Sequence, residues 1–274
     1  MFGQIAAGAS LGGLTGPLLS GFLVGPLGEA GLLFLSTALL LATLACVAAL
    51  LRWRDRIGPR GDIPAPDYIG GSIWGGLKLI VGSRHLLMIS AFVLLLTAVS
   101  TFLYFEQARI VAATFPDRAA QTRAFSAIDA AVQASTIFIQ IFLTGQLARR
   151  LGVTVLLAAV PLIMVLGFGA LSFMATFPVL VGVMVTRRVG EYALVRPGRE
   201  MLFAPLDAET KYKAKNAIDT FVYRGGDALS AWLNTWISAV GSLGAVALMG
   251  AAIAALWACL GVFIGRRHDR QSAG

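Results

Sequence analysis

Long apolar stretches separated by polar connections dominate the chain. The hydrocarbon core of a bilayer is about 30 Å thick, and a helix crosses it with about 20 mostly apolar residues. Stretches of that length predict eight transmembrane helices at residues 3–25, 31–51, 86–107, 124–147, 151–172, 178–198, 217–239 and 243–265. The pattern therefore predicts an all-α integral membrane protein.

The composition supports this prediction. Only 13% of the 274 residues are charged and 57% are hydrophobic, whereas a soluble domain carries about 25% charged residues. Cys46 and Cys259 lie inside apolar runs without a CxxC pair or a nearby histidine, which favours packing roles over a disulfide or a zinc site. The chain contains no GxxxxGK[ST], HExxH or GxSxG motif. We therefore expect no cofactor, and neither an ATPase-driven pump nor a membrane hydrolase.

Basic residues alternate between the predicted connections and set the orientation. Only Arg109, Arg118 and Arg123 lie in one set of connections. The other set contains Arg52, Arg54, Arg56, Arg60, Lys78, Arg84, Arg149, Arg150, Arg196, Arg199, Lys211, Lys213, Lys215, Arg266, Arg267 and Arg270. The positive-inside rule places this second set and both termini in the cytoplasm. The net charge of +8 thus indicates contact with membrane lipid, not with a nucleic acid polymer, and we expect a multi-pass protein of a bacterial inner membrane.

The first helix carries small residues at regular spacing. Gly8, Gly12 and Gly16 recur every four residues, a spacing that lets two helices approach closely in lipid. The segment from Gly12 to Gly21 resembles the GxxxGPxxGG motif in the fifth helix of major facilitator antiporters, with Ser20 in place of one glycine. Ordinary packing of small residues is the alternative interpretation.

The order of helices and connections resembles part of a twelve-helix major facilitator fold. Its long central cytoplasmic loop would correspond to residues 53–85, so the predicted helices correspond to the last eight, with the first four absent. This implies two helices of an incomplete N-terminal bundle at 1–52, a six-helix C-terminal bundle at 86–266 and a cytoplasmic tail at 267–274. Within the linker, Tyr68–Ser83 carries an apolar face that favours a helix in the membrane interface over a disordered segment.

Polar and charged residues inside the predicted spans are candidates for function, because charges at membrane depth cost several kcal/mol unless they have a partner or contact water. Asp129, Gln133 and Gln140 share one face of the fourth span, which either lines an aqueous pathway or joins a structural hydrogen-bond network. Arg187 and Arg188 lie near mid-bilayer in the sixth span.

Two arginines beside one carboxylate favour a site for an anion. Glu191 follows Arg187 and Arg188, and Tyr192 comes next. The guanidinium group presents its donors in a planar fork that suits carboxylates and phosphates. The alternative is an internal Arg–Glu pair that only holds helices together.

Two further groups of polar residues are candidate gates. Asp219, Tyr223 and Asp227 lie largely on one face at the start of the seventh span, with Arg224 close by. At the end of the third span, a second group either forms an extracellular gate or anchors the helix in the interface: Tyr104, Glu106, Gln107 and Arg109.

The segment from Glu191 to Gly226 resembles the ATP/ADP translocases of plastids and intracellular bacteria. The matching positions are Tyr192, Glu200-Met201, Pro205-Leu206-Asp207, Glu209-Thr210-Lys211, the alternation Lys211, Lys213, Lys215, and Ile218-Asp219. The resemblance implies a nucleotide exchanger without metal or ATP hydrolysis, and it implies that Arg199 contacts phosphate. Independently of the family, the three lysines beside the membrane would attract anionic substrate or lipid headgroups, or would simply be a cytoplasmic loop.

These observations predict a secondary transporter of the major facilitator type that exchanges a small anionic solute, with ATP/ADP as candidates, by alternating access. The predicted binding residues are Arg187, Arg188, Glu191, Tyr192, Asp129, Gln133 and Arg199. The predicted gate residues are Asp219, Tyr223, Lys211, Lys213 and Lys215. Asp129 and Glu191 are the candidates if a carboxylate carries a coupling proton. The alternative is a non-transporting truncated remnant or a scaffold that acts through helix contacts.

Overall fold

A computed structural model describes residues 2–57, 73–142, 144–240 and 243–272, and within these ranges the chain is helical without any strand. The helices are α1 (Phe2–Ile57), α2 (Ile73–Gly82), α3 (Arg84–Thr114), α4 (Arg118–Phe142), α5 (Thr144–Phe173), α6 (Phe177–Gly190), α7 (Arg196–Leu202), α8 (Ala208–Ala217), α9 (Tyr223–Val240) and α10 (Leu243–Ser272). Short π-helical segments, Glu191–Val195 and Ile218–Val222, join α6 to α7 and α8 to α9.

Helix α1 is broken into two helices at Gly28. The backbone there has φ 66° and ψ −178°, a conformation that is accessible almost only to glycine. The break falls between the predicted spans 3–25 and 31–51. Beyond it, the apolar side chains are exposed, for example Leu33 at 70% and Phe34 at 78%, as expected for a surface in contact with lipid.

The first part of α1 packs against α4, but not through the glycines that the spacing of four had indicated. A Cβ atom built on Gly8, Gly12 or Gly16 meets nothing within 4 Å. A Cβ on Gly13 would lie 2.4 Å from Gln133 Nε2, and a Cβ on Gly21 would lie 3.2 Å from Ser126 Cβ. The predicted glycine stripe was therefore wrong as a packing surface among the described residues, because the contact face of α1 is rotated away from it.

Within the described ranges, five helices are long and apolar enough to cross a membrane. They are Gly8–Arg56, Arg84–Thr114, Arg118–Phe142, Gly152–Phe173 and Gly244–Arg270. The first contains the break at Gly28. The segments 177–202 and 208–240, which hold the predicted sixth and seventh spans, are divided by the π-helical turns and carry charged residues. The count of eight transmembrane helices stays a prediction.

Helix α2 lies in the predicted linker and packs against protein. A Cβ on Gly76 would lie 2.8 Å from Lys213 O and from Ala217 Cβ of α8. Ile80 is 4% exposed and belongs to the core. Part of the apolar face that was expected against the membrane interface is thus covered by neighbouring helices, while Tyr68 and the residues up to 72 lie outside the described residues.

Helices α5 and α10 form a close helix pair. A Cβ on Gly265 would lie 2.3 Å from Thr154 Cα, and one on Gly261 would lie 2.8 Å from Leu157 O. Between membrane helices, such contacts gain dispersion energy because small residues let the backbones meet. One turn before Gly261, the buried Trp257 ring lies 5.5 Å from the Phe92 ring of α3. Helix α10 therefore joins α5 to α3.

A carboxylate from the end of α10 caps a helix start within α5. Gly152 has φ 68° and interrupts α5, so the next backbone N–H groups have no partner in their own helix. The Asp269 carboxylate accepts hydrogen bonds from Val153 N at 3.0 Å, Thr154 N at 3.1 Å and Thr154 Oγ1 at 2.6 Å. This N-cap comes from another helix and fixes the register of the pair.

The close approach of α5 and α10 predicts that replacing glycine by alanine lowers the stability of the protein at one position and not at another. Gly265→Ala places a methyl group against backbone and should lower stability by about 1–3 kcal/mol. Gly169→Ala in α5 meets nothing within 4 Å and should keep or slightly raise stability, because alanine favours the helix. Thermal unfolding of both variants in detergent measures the difference. Equal unfolding midpoints would contradict the proposed packing.

Candidate functional site

A cavity of about 750 Å³ lies between α3, α4, α6 and α9. Its lining includes apolar side chains from each of these helices. Its polar lining consists of Ser100, Thr101, Tyr104, Gln107, Asp129, Arg187, Arg188, Arg224 and Asp227. The cavity thus collects the charged residues of several helices in one place.

Arg187 is a buried cation with two partners. It is 9% exposed, and its Nη1 donates to Ser100 Oγ at 2.6 Å and to Glu191 Oε2 at 2.8 Å. Glu191, which is 8% exposed, is the first residue of the π-helical turn. A buried ion pair needs such additional hydrogen bonds to offset the desolvation of its charges. Arg187 Nε has no partner among the described residues.

Arg188 pairs with Asp129 and joins α6 to α4. The guanidinium Nη1 donates directly to Asp129 Oδ1. The Arg188 side chain is 24% exposed and that of Asp129 is 41% exposed, so the pair is accessible from the cavity. Partial exposure makes such a pair weaker and easier to exchange than the buried pair of Arg187.

Helix α9 contributes a cation and a carboxylate. Asp227 accepts a hydrogen bond from Thr101 Oγ1 at 3.1 Å. A Cβ on Gly226 would lie 2.4 Å from Thr97 Oγ1, so α9 and α3 are close here. Arg224 lines the cavity and forms no ion pair within 4 Å with any carboxylate in the described part of the chain.

A second group of charges ties α7 to α8 and to the second π-helical turn. Arg199 Nη1 lies 3.1 Å from Asp219 Oδ1, and Lys215 Nζ lies 2.6 Å from Glu200 Oε1. On the same side of the bundle, at the start of α3, His85 Nε2 lies 2.9 Å from Leu202 O. None of these residues lines the cavity. These contacts close the bundle at the side where α3 begins.

Helix α8 begins and is stabilised by local electrostatics. Asp207 is its N-cap and accepts from Thr210 N at 2.9 Å, and this hydrogen bond lowers the pKa of the Asp207 carboxyl. Lys213 Nζ pairs with Glu209 Oε1 one turn earlier at 2.5 Å. Lys211 forms no ion pair with the described residues.

The structure separates the predicted binding residues into different places. Asp129, Arg187 and Arg188 line the cavity, and Glu191 supports Arg187 from behind. Gln133 contacts α1 at Gly13 instead.

Other predicted residues lie outside the cavity lining. Tyr192 stacks under the Arg196 guanidinium, whose carbon is 4.3 Å from the ring centroid. Tyr223 is partly buried against the apolar core. Arg199 is paired with Asp219, which was predicted as a gate residue.

The candidate extracellular gate at the end of α3 divides into two parts. Tyr104 and Gln107 line the cavity, while Glu106 is 3% exposed and pairs with Arg109. Sequence reasoning missed Ser100 and Thr101. Their position about one turn before Tyr104 was the available indication, because residues three or four apart share a helix face.

Comparison with known proteins identifies the family. The sequence profile of the Major Facilitator Superfamily matches residues 1–197, which is more than half of the chain. No curated protein matches the chain significantly. Members of this superfamily are transporters rather than enzymes, so a transporter is favoured over a remnant or scaffold. With its apolar helices and charged cavity, the chain belongs to the Major Facilitator Superfamily.

Proposed function

We propose that this protein is a secondary transporter that exchanges a small anionic solute by alternating access. The observation that carries the proposal is the cavity in which Arg187, Arg188 and Arg224 lie together. A volume of about 750 Å³ is within the range of small-molecule sites.

The three arginines differ in how strongly they are already engaged. Arg187 donates to Glu191 and Ser100, so its guanidinium is held in a fixed position at the cavity wall. Arg188 has the partly exposed partner Asp129, which a substrate anion can replace. Arg224 is exposed and has no carboxylate partner among the described residues, so its guanidinium is available to an anion that enters the cavity. We propose that the substrate anion bridges Arg188 and Arg224.

The class of anion follows from the guanidinium groups. Two arginine forks favour planar or tetrahedral oxyanions that accept paired hydrogen bonds, such as carboxylates and phosphates. The resemblance of residues 191–226 to nucleotide exchangers favours a nucleotide within this class. Tyr104 and Phe105 at the cavity wall offer aromatic surface for the less polar part of such a solute.

The contacts between α7 and α8 support a gate at the opposite side. Lys215–Glu200 joins α7 to α8, and Arg199–Asp219 joins α7 to the second π-helical turn. Each of these two helices adjoins a π-helical turn. A π-helical turn is a single wider turn within a helix and occurs frequently at functional sites. We propose that opening these pairs exposes the cavity to the cytoplasm, where positive-inside counting puts this loop. In the open state Arg199 and Lys211 would be free to attract the incoming anion.

Proton coupling is a second candidate for the driving force, favoured by the position of Asp129. Its side chain is 41% exposed in the cavity, whereas Glu191 is buried and held by Arg187. Protonation of Asp129 would release Arg188 for substrate. Asp129 is thus better placed than Glu191 to exchange a proton with cavity water.

The anion site predicts selective loss of uptake when Arg224 is neutralised. The full chain in proteoliposomes preloaded with unlabelled solute is tested with labelled ATP, ADP and inorganic phosphate. We expect saturable uptake of at least one probe, and Arg224→Gln should reduce it by at least about tenfold, the effect of losing one charge-assisted hydrogen bond. Arg188→Gln should act similarly. The matched control is Arg54→Gln, which removes an arginine that is 72% exposed and should leave uptake unchanged.

The outcomes of this experiment are distinct. Uptake of a neutral or cationic solute with none of the three anions would overturn the anion proposal. Equal loss of uptake in Arg54→Gln and Arg224→Gln would show that only overall charge matters and would also count against the site.

A paired substitution separates structural from binding roles of Arg187. Glu191→Gln leaves the buried Arg187 charge without its carboxylate and should destabilise the protein by about 3–5 kcal/mol. The double variant Arg187→Met with Glu191→Met replaces both charges by apolar side chains and should restore most of the stability. Unfolding midpoints in detergent measure this. If Arg187 binds substrate, the stable double variant will still lack uptake. Normal uptake by the double variant would show that the Arg187–Glu191 pair only stabilises the structure.

A further inference from the structure

The lipid-facing side of α5 and α10 carries a groove that ends in arginines. The apolar part encloses about 620 Å³ between Leu162, Val165 and Leu166 of α5 and Ala255, Ala258 and Val262 of α10. It continues along α10 into a depression of about 520 Å³. Cys259 and Val262 belong to both walls, so the two form one continuous groove.

The charged end of the groove holds three guanidinium groups. Arg266, Arg267 and Arg270 line it and are exposed. Within the described parts of the chain, none of them has a carboxylate at ion-pair distance. The nearest acid in sequence, Asp269, is used as the cap of the helix start at Val153. The arginines are therefore available to an external anion.

The dimensions of the groove match one leaflet of a bilayer. Ala255 and Arg266 are eleven residues apart on a continuous helix, which corresponds to roughly 16 Å at a rise of about 1.5 Å per residue. Half of a hydrocarbon core of about 30 Å has nearly the same depth. An acyl chain whose headgroup lies at the arginines would therefore reach along the apolar part to about the bilayer midplane.

We propose that this groove binds an anionic phospholipid. One acyl chain lies between α5 and α10, and the phosphate contacts Arg266, Arg267 and Arg270. The small side chains Ala255 and Ala258 give the groove its depth. The charge complementarity selects an anionic over a zwitterionic headgroup, because each basic residue near a membrane surface adds attraction to anionic lipid. The site is separate from the solute cavity, which lies between other helices.

The proposal is tested by lipid binding to the full chain in detergent. Native mass spectrometry compares dioleoyl phosphatidylglycerol with dioleoyl phosphatidylcholine, and we expect tighter binding of the anionic lipid. Substitution of Arg266, Arg267 and Arg270 by glutamine should weaken phosphatidylglycerol binding by at least about tenfold, the combined effect of three charges. The single variant Arg267→Gln should give a smaller loss.

Two controls define the site. The matched control replaces Arg52, Arg54 and Arg56 at the end of α1 by glutamine, which removes the same charge elsewhere and should leave lipid affinity unchanged. Ala255→Trp fills the apolar groove and should weaken phosphatidylglycerol binding without affecting the headgroup analogue glycerol 3-phosphate. Unfolding midpoints identify any variant that has lost its fold. If the triple variant at Arg266, Arg267 and Arg270 does not fold, the loss of phosphatidylglycerol binding is measured with Arg267→Gln instead.

Three results would overturn the proposal. The first is equal binding of the two phospholipids, and the second is an equal loss in both triple variants, which would reduce the effect to general surface charge. The third is unchanged phosphatidylglycerol binding in Ala255→Trp, which would show that no acyl chain lies in the groove.

Discussion

Charged groups that are withdrawn from water need a partner, and in this structure the partners join the helices around the cavity to one another. Arg187 is held by Glu191 and by Ser100 of α3. Arg188 reaches Asp129 of α4, and Thr101 of α3 donates to Asp227 of α9. Each contact joins a helix of the cavity to a neighbour or stabilises a buried charge. Because the loss of one partner leaves a desolvated charge, these pairs determine which helix faces meet at the site.

A different principle holds the other side of the bundle together. Helices α5 and α10 meet through Gly261 and Gly265, where the close approach leaves no room for larger side chains, and the Asp269 cap aligns them. This pair is tightly packed. The cavity helices are polar, and Glu191 and Asp219 lie in π-helical segments. The bundle thus combines a closely packed apolar pair with polar helices that contain irregular turns.

The local pattern of the sequence predicted where the helices lie and which of their charged residues are candidates for function. It did not predict which helix faces meet, because that depends on the rotation of each helix about its axis. Apolar length gave the positions of α3, α4, α5 and α10 to within several residues, and charge at depth selected Arg187 and Arg188. The glycine stripe at Gly8, Gly12 and Gly16 meets no neighbour in the described part of the chain, since small residues show that a helix can pack closely but not on which face. The partnerships Arg188–Asp129 and Arg199–Asp219 join residues distant in sequence. No periodicity within one helix specifies which neighbour a side chain meets.

Within the proposed function, the pairing of the arginines favours exchange of anions over one-way transport. Arg187 and Arg188 have carboxylate partners, whereas Arg224 has none among the described residues. Occlusion of an empty cavity would remove water from Arg224 and leave that cation uncompensated, which is costly in a low-dielectric environment. A bound anion removes this cost. The loaded carrier would therefore cross between its two states more readily than the empty one, and net transport would depend on an anion being carried in each direction.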